Sequence, residues 1–444
     1  MNYTEAQNYI EEKNRLGIVP GLTQEKELLR RLGNPQDVCK TLHIAGTNGK
    51  GSIFAFVQEA LLTAGYHVGR YISPTIFSYL ERYQLDRRYM SEAEFASLIA
   101  EIAPVIESME ADGFASPTAF EIETAAAFLF FARSRVDYVL LECGMGGSED
   151  ATNVLSRPEI CVFAQISMDH MQFLGDTLCK IAAQKAGIIK PGAHVISAPQ
   201  DVEVSRILRE KCREEHADYT EVSPSDWMVG KMDLDGTELM DVRNQSAQEH
   251  VPEDIPCPGI AYHISLPGSY QVANAQTAIE VLRTMHVNEN RIKEGISHTK
   301  WPGRMSKVAE NPYIYVDGAH NEAAWNALRE TVETYFTNRR VIYIIGVLKD
   351  KEYEKMVEIL APTMTYAIAI TPDNPRGLSK EILMELIRKT GVECVTAKDR
   401  EEALSLARKQ AGAEDVILVC GSLSFLAEYL HAPGTGKYIE TDRR

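Results

Sequence analysis

The feature that most constrains this chain is a Gly-rich turn between an apolar strand-like run and a helix-like segment. Residues 41–65 read TLHIAGTNGKGSIFAFVQEALLTAG, with the turn at residues 46–52. This order aims backbone N–H groups and a helix N-terminus at a bound phosphate. Lys50 supplies a positive charge for the β- and γ-phosphates, and Ser52 or Thr47 supplies a hydroxyl to the phosphates or to Mg²⁺. The sequence therefore predicts a nucleotide-binding loop.

The match to the general pattern G-x-x-x-x-G-K-[ST] is incomplete. Ile44 stands where the first Gly belongs, and Gly51 stands where the hydroxyl residue belongs. A fortuitous Gly-rich turn is the alternative, but the preceding strand and the following helix are the context that the pattern requires. The residues expected to bind the nucleotide are Gly46, Thr47, Asn48, Gly49, Lys50, Gly51 and Ser52.

Short apolar runs alternate with helix-like segments through the first 200 residues or so. This alternation is typical of a parallel sheet with crossover helices. Residues 224–267 instead show short polar–apolar alternation broken by Gly, Asp and Pro, which indicates small antiparallel strands. The apolar runs of the first half cover residues 42–45, 138–142, 160–166 and 194–198.

A second α/β unit follows HTKWPGR, a segment at residues 298–304 that reads as a linker. A chain of 444 residues is too long for one ordinary core, so two domains are expected. We predict an α/β fold: a P-loop-type, mostly parallel sheet with a small antiparallel sub-sheet in residues 1–297, and a smaller Rossmann-like α/β domain in residues 298–444. The apolar runs of the second domain cover residues 313–316, 341–346, 366–370 and 416–420.

Composition excludes several classes of protein. The formal net charge of −17 argues against a general nucleic-acid or anionic-membrane binder, because phosphate groups attract clustered Lys and Arg. No apolar stretch reaches about 18 residues, and the first residues lack the basic-then-apolar layout of a signal peptide. We therefore expect a cytoplasmic protein that acts on small molecules, with no nucleic-acid or membrane partner.

The cysteine pattern gives little support to a zinc site or a disulfide framework. None of the eight cysteines forms a Cys-x-x-Cys pair, and several lie in apolar strand-like runs, so reduced structural thiols are expected. The cysteines are Cys39, Cys143, Cys161, Cys179, Cys212, Cys257, Cys394 and Cys420.

Several segments match sequence motifs that are more specific than a general phosphate loop. In chain order they are GTNGKGS, SPTIFSYLERYQL, TAFEIETAAAF, ECGMGGSEDATN, ISMDHMQFLGDTLCKIAAQKAGIIKPG, GSYQVANAQTA, WPGRM, YVDGAHN, IGVLKDKEY and NPRGLS. Together they resemble the folylpolyglutamate synthase/dihydrofolate synthase family of the Mur ligase superfamily. Only residues 223–262 lack a usable marker. The resemblance implies an ATP-dependent ligase that adds L-glutamate to the carboxylate of folate through an acyl phosphate, and it leaves open a second reaction with dihydropteroate.

The resemblance implies two Mg²⁺ sites. It assigns Ser73 and Glu142, with the γ-phosphate, to one ion and His170 to the second. Lys185 matches the family's carbamylated lysine, whose carboxylate-like group would help to hold the second ion; this requires a depressed lysine pKa. Without the resemblance, Glu142 would be interpreted as an exposed turn residue, His170 as a satisfied polar side chain and Lys185 as a solvated surface lysine.

The resemblance also assigns residues near and beyond the linker. It implies that Asp317 and His320 contact the nucleotide and the reacting phosphate, that Arg304 reaches ATP, and that Asn274 contacts the adenine. A surface linker charge is the alternative for Arg304, and a helix N-cap is the alternative for Asn274. The predicted catalytic residues are Lys50, Lys185, Asp317 and His320.

Three positions differ from the residues that the family's motifs usually have. Thr75 replaces the His of Ser-Pro-His, Ser148 replaces the Arg of Gly-Gly-Arg, and Gln184 replaces the Glu before the modified Lys. Because Thr75 and Ser148 lie where the pterin-bearing substrate should dock, a Mur-type ligase with a different acceptor remains an alternative. A catalytically weak nucleotide-binding module is a third reading. Under every reading a monomer is expected. The predicted acceptor-binding residues are Thr75, Phe120, Glu121, Ser148 and Asp150.

Overall fold

The chain forms two compact units. The first comprises residues 1–225 and 273–298, and the second comprises residues 226–272 and 299–444 as far as these are described. In the part of the chain that the structure describes, seven cysteines are free thiols, whereas Cys257 lies outside that part. The computed structural model describes residues 1–15, 17, 19–243 and 259–430, apart from the side chain of Ser424.

Among the described residues, the first unit contains an eight-stranded sheet. Its strands are β1 (Lys40–Ala45), β2 (Val68–Tyr71), β3 (Tyr83–Leu85), β4 (Arg88–Tyr89), β5 (Tyr138–Glu142), β6 (Ile160–Phe163), β7 (His194–Ser197) and β8 (Asp218–Glu221). Their order is β4-β3-β2-β5-β1-β6-β7-β8. All neighbours pair in parallel except β2–β3 and β3–β4, which are antiparallel. The predicted parallel sheet is confirmed, and β1 lies in its interior with parallel neighbours on both sides.

Helices follow most strands of the first unit. They are α1 (Tyr3–Asn14), α2 (Thr23–Arg31), α3 (Lys50–Thr63), α4 (Glu92–Ala111), α5 (Ala119–Ser134), α6 (Met171–Leu174), α7 (Leu178–Ala186), α8 (Val202–Glu214), α9 (Tyr270–Thr284) and α10 (Glu289–His298). The first three residues of α9 belong to the second unit. A cap side chain and the glutamate three positions later exchange hydrogen bonds at the starts of α1, α4 and α5. Local sequence therefore sets where these helices begin.

The second unit contains two sheets within its described residues. Its strands are β9 (Trp227–Asp233), β10 (Gly236–Asp241), β11 (Ile260–Ile264), β12 (Ser306–Glu310), β13 (Tyr313–Val316), β14 (Val341–Ile345), β15 (Tyr366–Ala369), β16 (Cys394–Thr396) and β17 (Val416–Cys420). Its helices are α11 (Glu322–Tyr335), α12 (Tyr353–Leu360), α13 (Lys380–Lys389), α14 (Arg400–Gln410) and α15 (Leu426–Leu430). The three-stranded antiparallel sheet β11-β10-β9 and the mostly parallel sheet β12-β13-β17-β14-β15-β16 confirm the predicted fold class. The antiparallel sheet was predicted as part of the N-terminal domain, whereas its residues belong to the second unit.

Strand ends follow the apolar runs closely, with one informative exception. β5, β13 and β17 coincide with their predicted runs, whereas β6 ends at Phe163, three residues before the predicted end. The chain leaves the sheet there because Gln165 turns to the phosphate loop, where its carbonyl accepts hydrogen bonds from the N–H groups of Thr47 and Asn48. The segment just beyond Phe163 therefore supports the loop rather than extends the strand.

Helix α2 buries an acidic side chain on its apolar face. Glu25 is fully buried and precedes Leu28 and Leu29 by three and four positions, which places all three on one helix face. Within the described residues, neither carboxylate oxygen of Glu25 has a hydrogen-bond partner. Burial, and then the nearby charges of Glu121 and Asp150, raises the pKa of Glu25 well above its ordinary value. Folding therefore keeps a proton on Glu25 that the unfolded chain releases near pH 4.5, so this group's contribution to stability falls as the pH rises above that value.

Replacing Glu25 with Met should raise the free energy of unfolding by about 1–3 kcal/mol near neutral pH, because it removes a buried carboxyl without a partner. The gain should shrink as the pH falls toward the ordinary carboxyl pKa, where folded and unfolded chains both hold the proton. Denaturant unfolding of both proteins across this pH range measures the difference. Glu12→Met, at an exposed position of α1, serves as the control and should change stability by less than about 0.5 kcal/mol. A Glu25→Met gain that does not vary with pH would contradict the burial argument.

Candidate functional site

The turn between β1 and α3 has the backbone shape that only glycine accommodates well. Gly46 has φ 148° and Gly49 has φ 96°, and Gly49 caps the N-terminus of α3. A Cβ atom on Gly46 would lie 2.7 Å from the Cβ of Ala164. The turn thus directs the first N–H groups of α3 outward from the carboxyl edge of the sheet, as the sequence predicts for a phosphate loop.

The segment after β6 holds the loop in place. The N–H groups of Thr47 and Asn48 donate to the carbonyl of Gln165 at 2.9 and 3.2 Å. The Thr47 hydroxyl donates to the Ser167 carbonyl at 3.0 Å and accepts from the Ser167 N–H at 3.0 Å. Ser52 is buried, and in the described chain its Oγ has no hydrogen-bond partner. Of the two hydroxyls considered from the sequence, Ser52 is therefore the better candidate for a phosphate or Mg²⁺ contact.

Two lysines from distant parts of the sequence converge on one carbonyl. The Nζ atoms of Lys50 and Lys185 donate to the Gly46 carbonyl at 3.2 and 2.9 Å. Lys50 Nζ also lies 3.6 Å from Oε1 of Glu142. Burial, and then the positive charge of Lys50, lowers the pKa of Lys185 to about 8. The interpretation of Lys185 as a solvated surface lysine is therefore wrong, because the helix that carries it packs against the loop.

The predicted metal ligands lie on four different segments of the first unit, and Lys185 is the one on α7. Glu142 is the buried last residue of β5, so the interpretation of an exposed turn residue is wrong. Ser73 follows β2 and is half-buried, whereas His170 precedes α6 with its side chain 46% exposed. The His170 N–H donates to Asp169 at 2.9 Å. No group of three or more His, Cys, Asp or Glu side chains suited to a metal occurs among the described residues.

Four of the five predicted acceptor-binding residues lie at the start of α5 or in the turn after β5. Glu121 accepts from the N–H and the hydroxyl of Thr118 at 2.7 and 2.8 Å. A Cβ atom on Gly144 would lie 2.6 Å from Cζ of Phe120, so the turn packs directly on this ring. The Ser148 hydroxyl donates to the Gln184 carbonyl at 2.9 Å. Thr75 lies on the segment after β2 and is half-buried.

Both carboxylate oxygens of Asp150 accept hydrogen bonds from residues close to it in sequence. Its Oδ2 accepts from the Met145 N–H at 2.7 Å, and its Oδ1 accepts from the N–H and the hydroxyl of Thr152 at 3.0 and 2.5 Å. The Gly144 N–H also donates to this carboxylate. Burial raises the pKa of Asp150, and these hydrogen bonds act in the opposite direction. Asp150 therefore organises the loop.

Asn274 lies beside the phosphate loop. It is the fifth residue of α9, so the alternative of a helix N-cap is wrong. Its Oδ1 occupies the space into which a Cβ atom on Gly49 would point. The placement agrees with a nucleotide contact, which stays a prediction.

In the second unit, Asp317 organises the turn after β13. Its Oδ2 accepts from the Tyr270 hydroxyl and the Met305 N–H, both at 2.9 Å, and its Oδ1 accepts from the Ala319 N–H at 2.8 Å. Burial, and then the charge of Asp317, raises the pKa of Tyr270 well above its ordinary value. Asp317 is therefore buried in a network that the sequence did not reveal.

Arg304 and His320 lie on the loops around this turn. Arg304 is half-buried, and its Nη1–H donates to the Gly303 carbonyl at 3.0 Å. His320 is half-buried, with Nδ1 2.8 Å from the Gly318 carbonyl. A Cβ atom on Gly318 would collide with Nη1 of Arg304, so the two loops touch at this glycine.

Sequence reasoning missed a buried polar cluster beside the candidate acceptor residues. Arg82 pairs with Glu123, the Tyr79 hydroxyl donates to Glu123 at 2.6 Å, and the Arg82 guanidinium lies 4.4 Å from the centre of the Tyr79 ring. Burial raises the pKa of Glu123, and the Arg82 charge opposes that shift. The position of Glu123 in the sequence could have indicated this cluster. Glu123 lies in a mostly apolar helix, where a buried charge needs a partner.

The fold and the loop define a nucleotide-binding protein of the Mur ligase type. The Mur ligase middle domain matches residues 44–282, and the Mur ligase glutamate ligase domain matches residues 303–423. The dihydrofolate synthase/folylpolyglutamate synthase of Bacillus subtilis is 33% identical over 437 residues, which cover 96% of this chain and 98% of that protein. The chain belongs to the folylpolyglutamate synthase/dihydrofolate synthase family of the Mur ligase superfamily.

Solved structures agree with this assignment. Mycobacterium tuberculosis folylpolyglutamate synthase complexed with ADP and AMPPCP is 26% identical, covers 98% of this chain and 100% of its own, and superposes with a TM-score of 0.85. E. coli FolC in complex with DHPP and ADP is 29% identical, covers 97% of each chain, and gives a TM-score of 0.82. In the described part of this chain, no helix has the length and apolar character needed to cross a membrane.

Two glycines at opposite ends of α3 provide a test of the loop. Gly49→Ala places a Cβ atom against Asn274 in a left-handed conformation, so it should weaken ADP binding at least about 10-fold and lower stability by about 1–3 kcal/mol. Gly65 has a similar φ of 89° but open space around it, so Gly65→Ala should carry the backbone strain alone and leave ADP affinity unchanged. Calorimetric titration with ADP compares the two variants. Equal loss of ADP affinity in both would show that strain, rather than contact at the loop, explains the effect.

Proposed function

We propose that this chain uses ATP to join L-glutamate to the carboxylate of folate, and also makes dihydrofolate from dihydropteroate and L-glutamate. The observation that carries the proposal is the convergence of Lys50 and Lys185 on the Gly46 carbonyl beside Glu142. This cluster combines a phosphate loop with two cations and a buried carboxylate. Relatives that match along nearly the whole chain are named for these reactions.

The loop would bind and hold the phosphates of ATP. The N–H groups at the start of α3 and the ammonium of Lys50 would offset the negative charge on the transferring γ-phosphoryl group. Transfer of that group to the acceptor carboxylate gives an acyl phosphate and ADP. The glutamate amine then attacks the acyl carbon, an amide bond forms, and phosphate leaves. Positioning and charge stabilisation would supply most of the rate enhancement, as in other phosphoryl transfers.

The residues present suit Mg²⁺, which prefers oxygen ligands. Glu142 offers a buried carboxylate at the strand end, and the Oγ of Ser52 is buried without a partner in the described chain. We propose Ser73 and Glu142 for one ion, and His170 with carbamylated Lys185 for a second. Bound Mg²⁺ would neutralise charge on the phosphates.

Carbamylation of Lys185 is supported by its surroundings. A pKa of about 8 leaves a useful fraction of the amine unprotonated at neutral pH, and only the unprotonated amine attacks CO₂. The product exchanges a buried cation for an anion beside Lys50. The repulsion between the two lysines would thereby become an attraction.

The remaining assignments are extensions of the same proposal. Arg304, Asp317 and His320 would contact ATP or the reacting phosphate, and Asn274 would contact the adenine. Residues 1–297 would form the ATP-binding domain and residues 298–444 the glutamate-ligase domain. We propose that the protein is a monomer and acts in the cytoplasm.

Acceptor assays test the proposed reaction. Purified protein with Mg-ATP and radiolabelled L-glutamate should form ADP and amide product together when dihydropteroate or tetrahydrofolate is added, and not with a UDP-muramyl peptide. Lys50→Ala should reduce both products by at least about 1,000-fold, because it removes the charge that offsets the transferring phosphoryl group. Formation of ADP without incorporation of glutamate, or turnover only with the muramyl peptide, would refute the folate assignment.

Labelled bicarbonate tests the modification of Lys185. The ¹³C NMR spectrum of the protein in ¹³C-bicarbonate should show a carbamate signal that strengthens as the pH rises through about 8, since deprotonation exposes the amine. Lys185→Arg should abolish the signal. Lys180→Arg, at an exposed position of the same helix, should leave it unchanged. A carbamate signal that survives Lys185→Arg would place the modification elsewhere.

A further inference from the structure

A chain of buried polar side chains links β1 to the loop after β5, which we call the glycine loop and define as residues 143–150. His43 lies on β1, three residues before Gly46, and is fully buried. Its Nε2 lies 2.8 Å from the hydroxyl of Thr152 and 3.1 Å from the thiol of Cys143. The Thr152 hydroxyl in turn lies 2.5 Å from Oδ1 of Asp150. None of these contacts involves a residue of the phosphate loop.

The donor and the acceptor of each hydrogen bond between His43, Thr152 and Asp150 can be assigned. Thr152 has one hydroxyl proton, and the short distance to a carboxylate oxygen assigns that proton to the bond with Asp150. We assign the single ring proton of His43 to Nε2, so that this atom donates to the Thr152 oxygen. Burial lowers the pKa of His43 to about 3, so the ring is neutral and carries one proton. Its Nδ1 is then an acceptor, and within the described residues it has no partner.

The glycine loop is anchored at two places. The Asp150 carboxylate accepts from N–H groups of the loop, including that of Met145 at 2.7 Å, so its orientation sets the shape of the turn. At the other anchor, Ser148 donates to the Gln184 carbonyl from its N–H at 2.8 Å and from its hydroxyl at 2.9 Å. Gly144, at the start of the loop, packs on the Phe120 ring. The loop thus borders the residues proposed to bind the acceptor.

We propose that Thr152 and His43 are positioning residues for the acceptor: they hold Asp150 in the orientation that gives the glycine loop its shape against Phe120. The inference rests on the proposed function, because it concerns affinity for the pterin-bearing acceptor. It adds two fully buried residues. It predicts a larger effect on acceptor affinity than on ATP affinity, since Gln165 and Ser167 hold the phosphate loop.

A matched pair at Thr152 tests the proposal. Thr152→Val keeps the shape and removes the hydroxyl, whereas Thr152→Ser keeps the hydroxyl. Thr152→Val should weaken binding of dihydropteroate at least about 10-fold, measured by quenching of intrinsic protein fluorescence without ATP, while the KM for ATP changes less than about threefold. Thr152→Ser should bind dihydropteroate within about threefold of the unmodified protein. A general structural defect would instead raise both the Kd for dihydropteroate and the KM for ATP.

A double-mutant cycle tests whether Thr152 acts through Asp150. Asp150→Asn should weaken dihydropteroate binding, and the double variant should bind no more weakly than the weaker single variant. If Thr152→Val does not fold, His43 decides the question: His43→Gln keeps an N–H donor and should retain affinity, whereas His43→Leu should lose it. Additive losses in the cycle, or equal affinity of His43→Gln and His43→Leu, would overturn the proposal.

The outcomes separate this inference from the proposed function. An unmodified protein that binds dihydropteroate, with Thr152→Val binding it equally well, overturns only the positioning role. An unmodified protein that binds neither dihydropteroate nor tetrahydrofolate overturns both, because the acceptor assignment itself is then wrong.

Discussion

The carbonyl oxygen of Gly46 receives hydrogen bonds from two lysines, and the candidate site depends on this contact. Lys50 comes from the start of α3 and Lys185 from the end of α7, 135 residues later in the sequence. Two cations on one carbonyl repel each other, and both have lost much of their hydration. Nearby negative charge offsets this repulsion: Glu142 lies 3.6 Å from Lys50, and the charges of Asp169 and Asp150 oppose the lowering of the Lys185 pKa by burial. A phosphate bound in the turn would add to this negative charge.

This convergence requires a particular backbone. β1 pairs in parallel with β5 and β6, so the three strands end at the same edge of the sheet. The phosphate loop, Glu142 and Gln165 follow or end these strands and therefore lie close together. The close approach of Gly46 to Ala164 leaves no room for a side chain there. A buried polar chain through His43 adds a second connection from β1 to the loop after Glu142. The sheet thus determines which residues meet, and the loops determine their orientation.

Much of the fold could be predicted from the sequence, because it rests on local patterns. The runs at β5, β13 and β17 were bounded correctly, and the Gly-rich turn, with Lys50 and Glu142, was placed at the correct strand ends. The meeting of Asn274 with Gly49 could not be predicted, since no local pattern joins residues so far apart. The burial of Glu25 was also missed, because TQEKELLRR reads as a polar helix. Its three- and four-residue spacing to Leu28 and Leu29 was the available signal.

The most direct test of the central claim is a crystal structure of this chain with AMPPCP. The account predicts the β- and γ-phosphates in the turn at residues 46–52, about 3 Å from the N–H groups at the start of α3. It also predicts that Lys50 Nζ, which has three N–H donors, contacts a phosphate oxygen. A nucleotide bound elsewhere, or phosphates in the turn without a contact to Lys50, would contradict it.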